Sequence, residues 1–367
     1  MPFIKLEKIN KRVGKKLVLR DVSLEIPSKS LYCVLGPPGS GKTMLMRIIA
    51  GLEMPDSGEI IFDDKVVTSL GPAERGVAVV FQDFGLYPHL KAFDIIASPL
   101  RAMKIPKDEI KKRVEEISNY LKISHRLNHY PSELSGGERQ RVSIARALVR
   151  DDVQLILLDE PLVRLDYKIR EDMRAELYKL QKDIGKNIIL ITSDPFDAMS
   201  LGEIIAVMDS GRIIQTGNSV EIYERPANIF VGKYFGFAEM NIFDGFISKD
   251  VGGALLKTGM FEVKIKTSDK LPEGSVKIGL RPEHIVVKEL SGEKDINLKA
   301  RVVLSEVVGS DTILHVEIGA GATVRIVVPT IYRVEHGQDI VVGFDLKDIY
   351  IFTEQGDFSA RGEELHG

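Results

Sequence analysis

The stretch Gly36-Pro37-Pro38-Gly39-Ser40-Gly41-Lys42-Thr43 is a complete G-x-x-x-x-G-K-[ST] phosphate loop. The apolar run Leu31–Leu35 before it predicts a buried strand, and Met44 to Ala50 after it predicts a helix, which is the strand–loop–helix setting the motif requires. Glycines let successive backbone N–H groups converge on phosphate oxygens at a helix N-terminus, where unpaired donors and the helix dipole favour an anion. Lys42 supplies a point charge for the outer phosphates, and the Thr43 hydroxyl is placed for a magnesium ion. A nucleoside triphosphate is the expected ligand.

Working outward, residues 3–30 alternate as strands do and predict a small antiparallel sheet. Val77 to Phe81 has buried-strand length and delivers Gln82 at its C-terminal end, the end that faces ligands in open α/β sheets. From about 91 to 130 the pattern is helical: Ile110, Val114, Ile117 and Leu121 recur at helical spacing among charged residues. Ser135-Gly136-Gly137 interrupts it just before a new helix, a second place for an anion at a helix N-terminus. Leu155 to Leu158 predicts a buried strand ending in Asp159-Glu160. In a triphosphatase the first carboxylate holds magnesium, directly or through water, and the second takes a proton from the attacking water. A helix over 167–184 and a strand over 187–192 follow, the latter ending at Ser193-Asp194.

At 367 residues the chain exceeds one ordinary core, so two domains are expected. The α/β part is expected over 1–235, with its helical subdomain at about 91–150. Beyond it, short strands punctuated by glycines predict a smaller β-rich barrel or sandwich over 236–358, and 359–367 reads as a flexible tail. Composition is that of a soluble protein, 28% charged and 44% hydrophobic, with no apolar run near the roughly 18 residues of a membrane span. No signal-peptide pattern precedes the first strand, so a cytoplasmic chain is expected. The lone Cys33 excludes an internal disulfide. The net charge is −3, and residues 233–367 carry 16 Lys or Arg against 21 Asp or Glu, a balance that argues against a nucleic-acid ligand.

Taken together, the motifs resemble the ATP-binding subunit of an ABC transporter. Leu134-Ser135-Gly136-Gly137-Glu138-Arg139-Gln140-Arg141 is similar to the family's signature, Phe81-Gln82 to the start of its glutamine loop, Leu157 to Pro161 to its Walker B strand, and Leu165-Asp166 to its D-loop. The resemblance is closest to importers of carbohydrates, polyols and glycerol-like solutes, through Leu86 to Leu90, Tyr130 to Leu134 and Gly279 to Ile285. It implies an α/β P-loop NTPase of ABC type, with a mixed sheet, an antiparallel β subdomain and a helical subdomain, followed by an OB-like (TOBE) regulatory barrel. It also implies an ATPase using ATP and Mg2+, peripheral on the cytoplasmic face of the membrane. Implied partners are a second ATPase subunit arranged head to tail, two integral membrane permease subunits and an extracytoplasmic solute-binding protein. In that arrangement Gly36, Pro37, Pro38, Gly39, Ser40, Gly41, Lys42, Thr43, Met44 and Val13 hold nucleotide in cis. Ser135, Gly136, Gly137 and Asp166 reach the partner's nucleotide, Thr43, Gln82 and Asp159 serve the metal, and Glu160 and Gln82 serve catalysis. Polyamine, iron or an oxyanion are alternative cargoes, and a soluble ABC switch acting on nucleic acid or ribosomes is a remote alternative.

Three positions depart from the family. Ser193 stands where it keeps a switch histidine, Val13 where an aromatic ring stacks on adenine, and Met44 where a second hydroxyl residue is usual. A serine can still hydrogen-bond a phosphate but is shorter and cannot be cationic. Three readings of Ser193 stay open: a degenerate site paired with a different ATPase subunit, a homodimer in which Glu160 suffices, and an engineered substitution.

Overall fold

The structure is a computed structural model, and it describes residues 1–250, 253–266, 271–319 and 321–365. It divides into two compact units, Met1–Ser219 and Val220–Gly367.

The first unit opens with a hairpin, β1 (Ile4–Val13) and β2 (Lys16–Ile26), followed by β3 (Leu31–Leu35), α1 (Lys42–Ala50), β4 (Ser57–Phe62), β5 (Lys65–Val66) and β6 (Val77–Val80). The helices α2 (Ala92–Ala102), α3 (Lys107–Tyr120) and α4 (Gly136–Leu148) come next. Then follow β7 (Leu155–Asp159), α5 (Tyr167–Ile184), β8 (Asn187–Thr192), α6 (Pro195–Leu201), β9 (Ile204–Asp209) and β10 (Arg212–Gly217). One antiparallel sheet has the order β2-β1-β4-β5, and a second has the order β10-β9-β3-β8-β7-β6. In the second, β9, β3, β8, β7 and β6 are parallel and β10 is antiparallel to β9. Every residue of β3, β7 and β8 is buried, as their unbroken apolar runs require when both faces of a sheet are covered. Leu45, Met46, Ile48 and Ile49 of α1 pack into one core with Val34, Leu157, Ile189 and Met208 of that sheet and with Ile4, Leu6 and Ile60 of the other. Adjacent parallel strands therefore end side by side, and the chain leaving β3, β8 and β7 presents Gly36, Ser193 and Glu160 along one edge.

Arg75, only 2% exposed, closes the far end of α1. Its guanidinium donates to the carbonyls of Ile48 and Ile49 at 2.7 and 2.8 Å and to those of Leu70 and Thr68 at 2.8 and 2.7 Å. Carbonyls of the last helical turn have no partner within the helix, and a cation there also suits the dipole.

The second unit begins with two short helices, α7 (Ser219–Glu224), which straddles the division, and α8 (Ile229–Tyr234). Strands β11 (Asn241–Asp250), β12 (Gly253–Thr258), β13 (Glu262–Ile265), β14 (Gly274–Leu280) and β15 (Val286–Val287) follow. After a single helical turn, α9 (Lys288–Ser291), come β16 (Ile296–Val308), β17 (Asp311–Ile318), β18 (Ala322–Val328), β19 (Asp339–Phe344), β20 (Ile349–Thr353) and β21 (Phe358–Arg361). They make two antiparallel sheets, β13-β12-β11-β14-β20-β21 and β15-β19-β16-β17-β18, curled around a shared core that includes Ile247, Leu256, Ile278, Val302, Leu314 and Phe344. This is an OB-like barrel.

Arg281, fully buried, ties the two short helices to this barrel. It donates to the carbonyl of Phe235 at 2.9 Å and that of Tyr223 at 2.7 Å, and its guanidinium lies 3.6 Å from the Tyr223 ring centre. The compact units therefore divide upstream of residue 235, because these helices bury their polar ends against barrel side chains. The expectation of a flexible tail over 359–367 is corrected for its described part. Phe358–Arg361 pairs with β20, Ala360 and Leu365 are buried, and Lys266 N–H donates to Leu365 O at 3.0 Å; residues 366 and 367 lie outside the described residues.

Candidate nucleotide site

The loop from Gly36 to Thr43 turns sharply between β3 and α1, and Gly39 and Gly41 take left-handed conformations with φ of 81° and 108°. Gly36 has no room for a side chain, since a Cβ there would lie 2.2 Å from Met208 O. The loop is anchored at both flanks: Gly36 N–H donates to Thr192 O at 3.2 Å and Gly211 N–H to Ser40 O at 2.9 Å. Lys42 curls over the loop, donating from Nζ to Gly36 O at 2.6 Å and Pro37 O at 3.0 Å, with Glu160 Oε1 3.9 Å away. Burial lowers the Lys42 pKa, against the opposing pull of Glu160 and Asp159. The Ser40 hydroxyl is buried without a partner.

Thr43 is exposed, and its Oγ1 donates to Asp159 Oδ1 at 3.4 Å. Burial first, and then the neighbouring Glu160 charge, raise the Asp159 pKa above its usual 3.8. Glu160 follows β7 in a left-handed conformation, φ 47°, and Ile191 O accepts its N–H at 2.8 Å. That backbone turn brings the adjacent carboxylates of Asp159 and Glu160 toward one place, although successive residues of a strand point to opposite faces. The Ser193 N–H donates to Glu160 Oε2 at 3.0 Å.

The donor set suits a nucleoside triphosphate with magnesium. An unpartnered buried hydroxyl, a buried ammonium and an open backbone turn at Gly39, where a Cβ would meet nothing within 4 Å, form a cradle for anionic oxygens. One hydroxyl and one carboxylate are typical of magnesium, which takes its remaining ligands from phosphate and water.

The other expected residues are placed as follows. Gln82 is exposed just beyond β6, and the register Val80↔Leu158 sets it off the same sheet edge as Asp159. Met44 is half-buried and packs against the core, so its side chain serves α1 rather than the loop. Val13 is 51% exposed at the end of the first hairpin, opposite Lys16. Ser135 caps α4: its Oγ accepts from Glu138 N–H at 3.2 Å while Glu138 Oε2 accepts from Ser135 N–H at 2.8 Å. Asp166 caps α5, accepting from Ile169 N–H at 3.1 Å. A Cβ on Gly137 would lie 2.8 Å from Ile169 Cγ2, so these two helix starts pack closely. Among the described residues, no hydrogen bond or ion pair joins Ser135, Gly136, Gly137 or Asp166 to the phosphate loop. One group escaped the sequence reading: Arg170 and Arg174 of α5 pair with Asp194 and Asp197 at the start of α6. No local spacing signals these pairs, since each arginine lies 23 or more residues from its aspartate.

The ABC transporter family profile matches residues 19–163 and the TOBE domain profile residues 278–352. The trehalose/maltose import ATP-binding protein MalK of Thermococcus litoralis is 38% identical, over 96% of this chain and 98% of that protein. This chain belongs to the ABC transporter ATP-binding proteins. A second relative of the ABC ATPase is the sn-glycerol-3-phosphate import ATP-binding protein UgpC of Brucella abortus, 36% identical over 97% of this chain and 99% of that protein. The glucose import ATP-binding protein GlcV of Saccharolobus solfataricus is 40% identical over 74% and 75%. Among solved structures, a dimeric ATP-binding cassette in a post-hydrolysis state with ADP and Pi matches with TM-score 0.53 and 32% identity, covering 59% of this ABC ATPase and 98% of that chain. The cbiO1 protein of Clostridium perfringens matches with TM-score 0.56 and 30% identity, covering 60% and 90%. Among the described residues no helix is long and apolar enough to cross a membrane.

Proposed function

We propose that this ABC ATPase hydrolyses ATP to drive import of a sugar, polyol or glycerol-like solute, with Glu160 as its general base. The observation that carries this is the Glu160 carboxylate, held by the Ser193 amide 3.9 Å from Lys42 at the mouth of the phosphate loop. The solute class rests on the relatives, two of which import sugars and one glycerol phosphate. Polyamine, iron or oxyanion cargo has no such support.

Backbone N–H groups from Gly39 to Thr43 cradle the phosphates, Pro37 and Pro38 having none to give and Gly36 N–H being held by Thr192 O, and Lys42 exchanges its two carbonyl partners for phosphate oxygens. Thr43 and Asp159, with Gln82 nearby, would hold magnesium, which would supply charge neutralisation at the phosphates. Glu160 accepts the proton of the attacking water. Met44 contributes backbone at the start of α1, and Val13 offers the base an aliphatic contact in place of a ring. Ser135, Gly136, Gly137 and Asp166 act on nucleotide held by a second ATPase subunit, a role supported by their having, among the described residues, no bond to this chain's own loop. The remaining partners are two membrane permease subunits and an extracytoplasmic solute-binding protein, which place the ATPase at the cytoplasmic face of the membrane.

The Ser193 side chain replaces a longer, cationic one, while its backbone still holds Glu160. The site is therefore slow but live. Steady-state hydrolysis by the purified chain tests this. Glu160→Gln cuts turnover about 100-fold or more, to a small residual rate, and Ser193→His raises that of the native chain about 10- to 100-fold by adding a phosphate donor. A chain that is silent and stays silent as Ser193→His defeats the reading, and shifts hydrolysis to a homologous partner with an intact switch histidine.

A further inference from the structure

We propose that Arg170 is a positioning residue for hydrolysis: it clamps the turn after β8 so that the Ser193 amide holds the Glu160 carboxylate. The inference rests on the assignment of Glu160 as general base.

The clamp can be followed atom by atom. Arg170 Nη2 donates to Asp194 Oδ2 and to Asp197 Oδ2, both at 2.6 Å, and its Nε donates to Asp197 Oδ1 at 3.2 Å. Asp194 is the residue after Ser193 and the N-cap of α6, where its Oδ1 accepts from Phe196 N–H at 2.7 Å. On the other side of Ser193, Thr192 Oγ1 accepts from Asp194 N–H at 3.0 Å and lies 3.4 Å from Asp197 Oδ2. Both neighbours of Ser193 are thus gripped by a network that converges on one guanidinium. Its rigidity passes to Glu160 through a backbone bond that does not depend on the side chain at 193.

The network also separates this role from simple charge burial. Asp197 is 3% exposed by its side chain, and Arg174 Nε donates to its Oδ1 at 2.8 Å. Without Arg170, the buried carboxylate keeps an arginine and Asp194 keeps its capping bond. What is lost is the one guanidinium, among the described residues, that joins α5 to both Asp194 and Asp197. A planar fork can bridge two carboxylates in this way, whereas a lysine ammonium offers a single point charge.

The test uses the full chain with its transporter partners and compares Arg170→Met, Arg170→Lys, Glu160→Gln and the double variant Arg170→Met with Glu160→Gln. Arg170→Met should lower kcat about 10- to 100-fold and leave the ATP KM within about twofold, with Arg170→Lys between it and the native chain. In the Glu160→Gln background, Arg170→Met should add nothing, because it acts only through that carboxylate. A further loss there overturns the proposal. Hydrogen exchange supplies a readout independent of turnover: Arg170→Met should speed exchange of the Ser193 amide about tenfold and leave the amides of β8 unchanged. If exchange at Ser193 does not move, the clamp is refuted. If Glu160→Gln hydrolyses normally, the assignment of Glu160 falls, and exchange still decides the clamp. Should Arg170→Met fail to fold, Asp194→Asn carries the same two expectations.

Discussion

Two adjacent carboxylates, Asp159 and Glu160, sit in unlike surroundings. Asp159 is 6% exposed, and burial together with its charged neighbour holds its proton to a higher pH than an ordinary aspartate. A carboxyl whose pKa folding raises is favoured in its protonated form. Its contribution to stability is present below the unfolded-state value and is lost as pH climbs through the folded one. Asp159→Asn should therefore raise the Tm of the nucleotide-free chain at neutral pH and leave it unchanged in acid. The same change should weaken Mg2+–ATP binding about 10- to 100-fold, measured by titration with a fluorescent nucleotide. In the native chain Mg2+–ATP affinity should fall on acidification sooner than an ordinary aspartate predicts. The phosphate loop, both carboxylates and Ser193 were legible because each lies in a contiguous motif. Arg170 was not. Its partners are 24 and 27 residues further along the chain, and only the packing of α5 beside the turn joins them.

At the scale of elements, α1 is fixed at both ends, by the loop it caps and by Arg75. Burial lowers the Arg75 pKa to about 10, since its partners are carbonyls rather than carboxylates. Arg75→Met keeps the bulk and removes the donors, leaving buried carbonyls on both sides. It should destabilise the chain by about 2–4 kcal/mol, measured by urea unfolding. Gly36→Ala should be worse for the site than for the fold. Its Cβ would meet the Met208 carbonyl, so the loop must lift away from β9, and nucleotide binding should be lost at temperatures where far-ultraviolet circular dichroism is unchanged. The strands β3, β7 and β8 were legible from apolar runs of strand length. The last strand, β21, was not: Phe358-Ser359-Ala360-Arg361 shows too short an alternation to be told from a polar tail, and only its pairing with β20 orders it.

For the whole molecule, compactness divides the chain at Ser219–Val220, whereas composition sets the change of texture near 235. The helices α7 and α8 have the helical texture of what precedes them, yet their polar ends are held by Arg281 of the barrel. Arg281→Met should destabilise the C-terminal unit by about 3 kcal/mol or more, because it strips the donor from the Tyr223 and Phe235 carbonyls. Separate unfolding of fragment 220–367 with and without the substitution would measure this. The barrel has one more property of this kind. The approach to its first strand, at Ala227 to Ile229, runs beside the turn into its last, at Gly356 to Phe358, joined by Ile229 N–H to Gly356 O at 2.9 Å and Phe358 N–H to Ala227 O at 3.0 Å. Segments so far apart in sequence can pair only after the strands between them have come together, so this bridge is a late closure of the module.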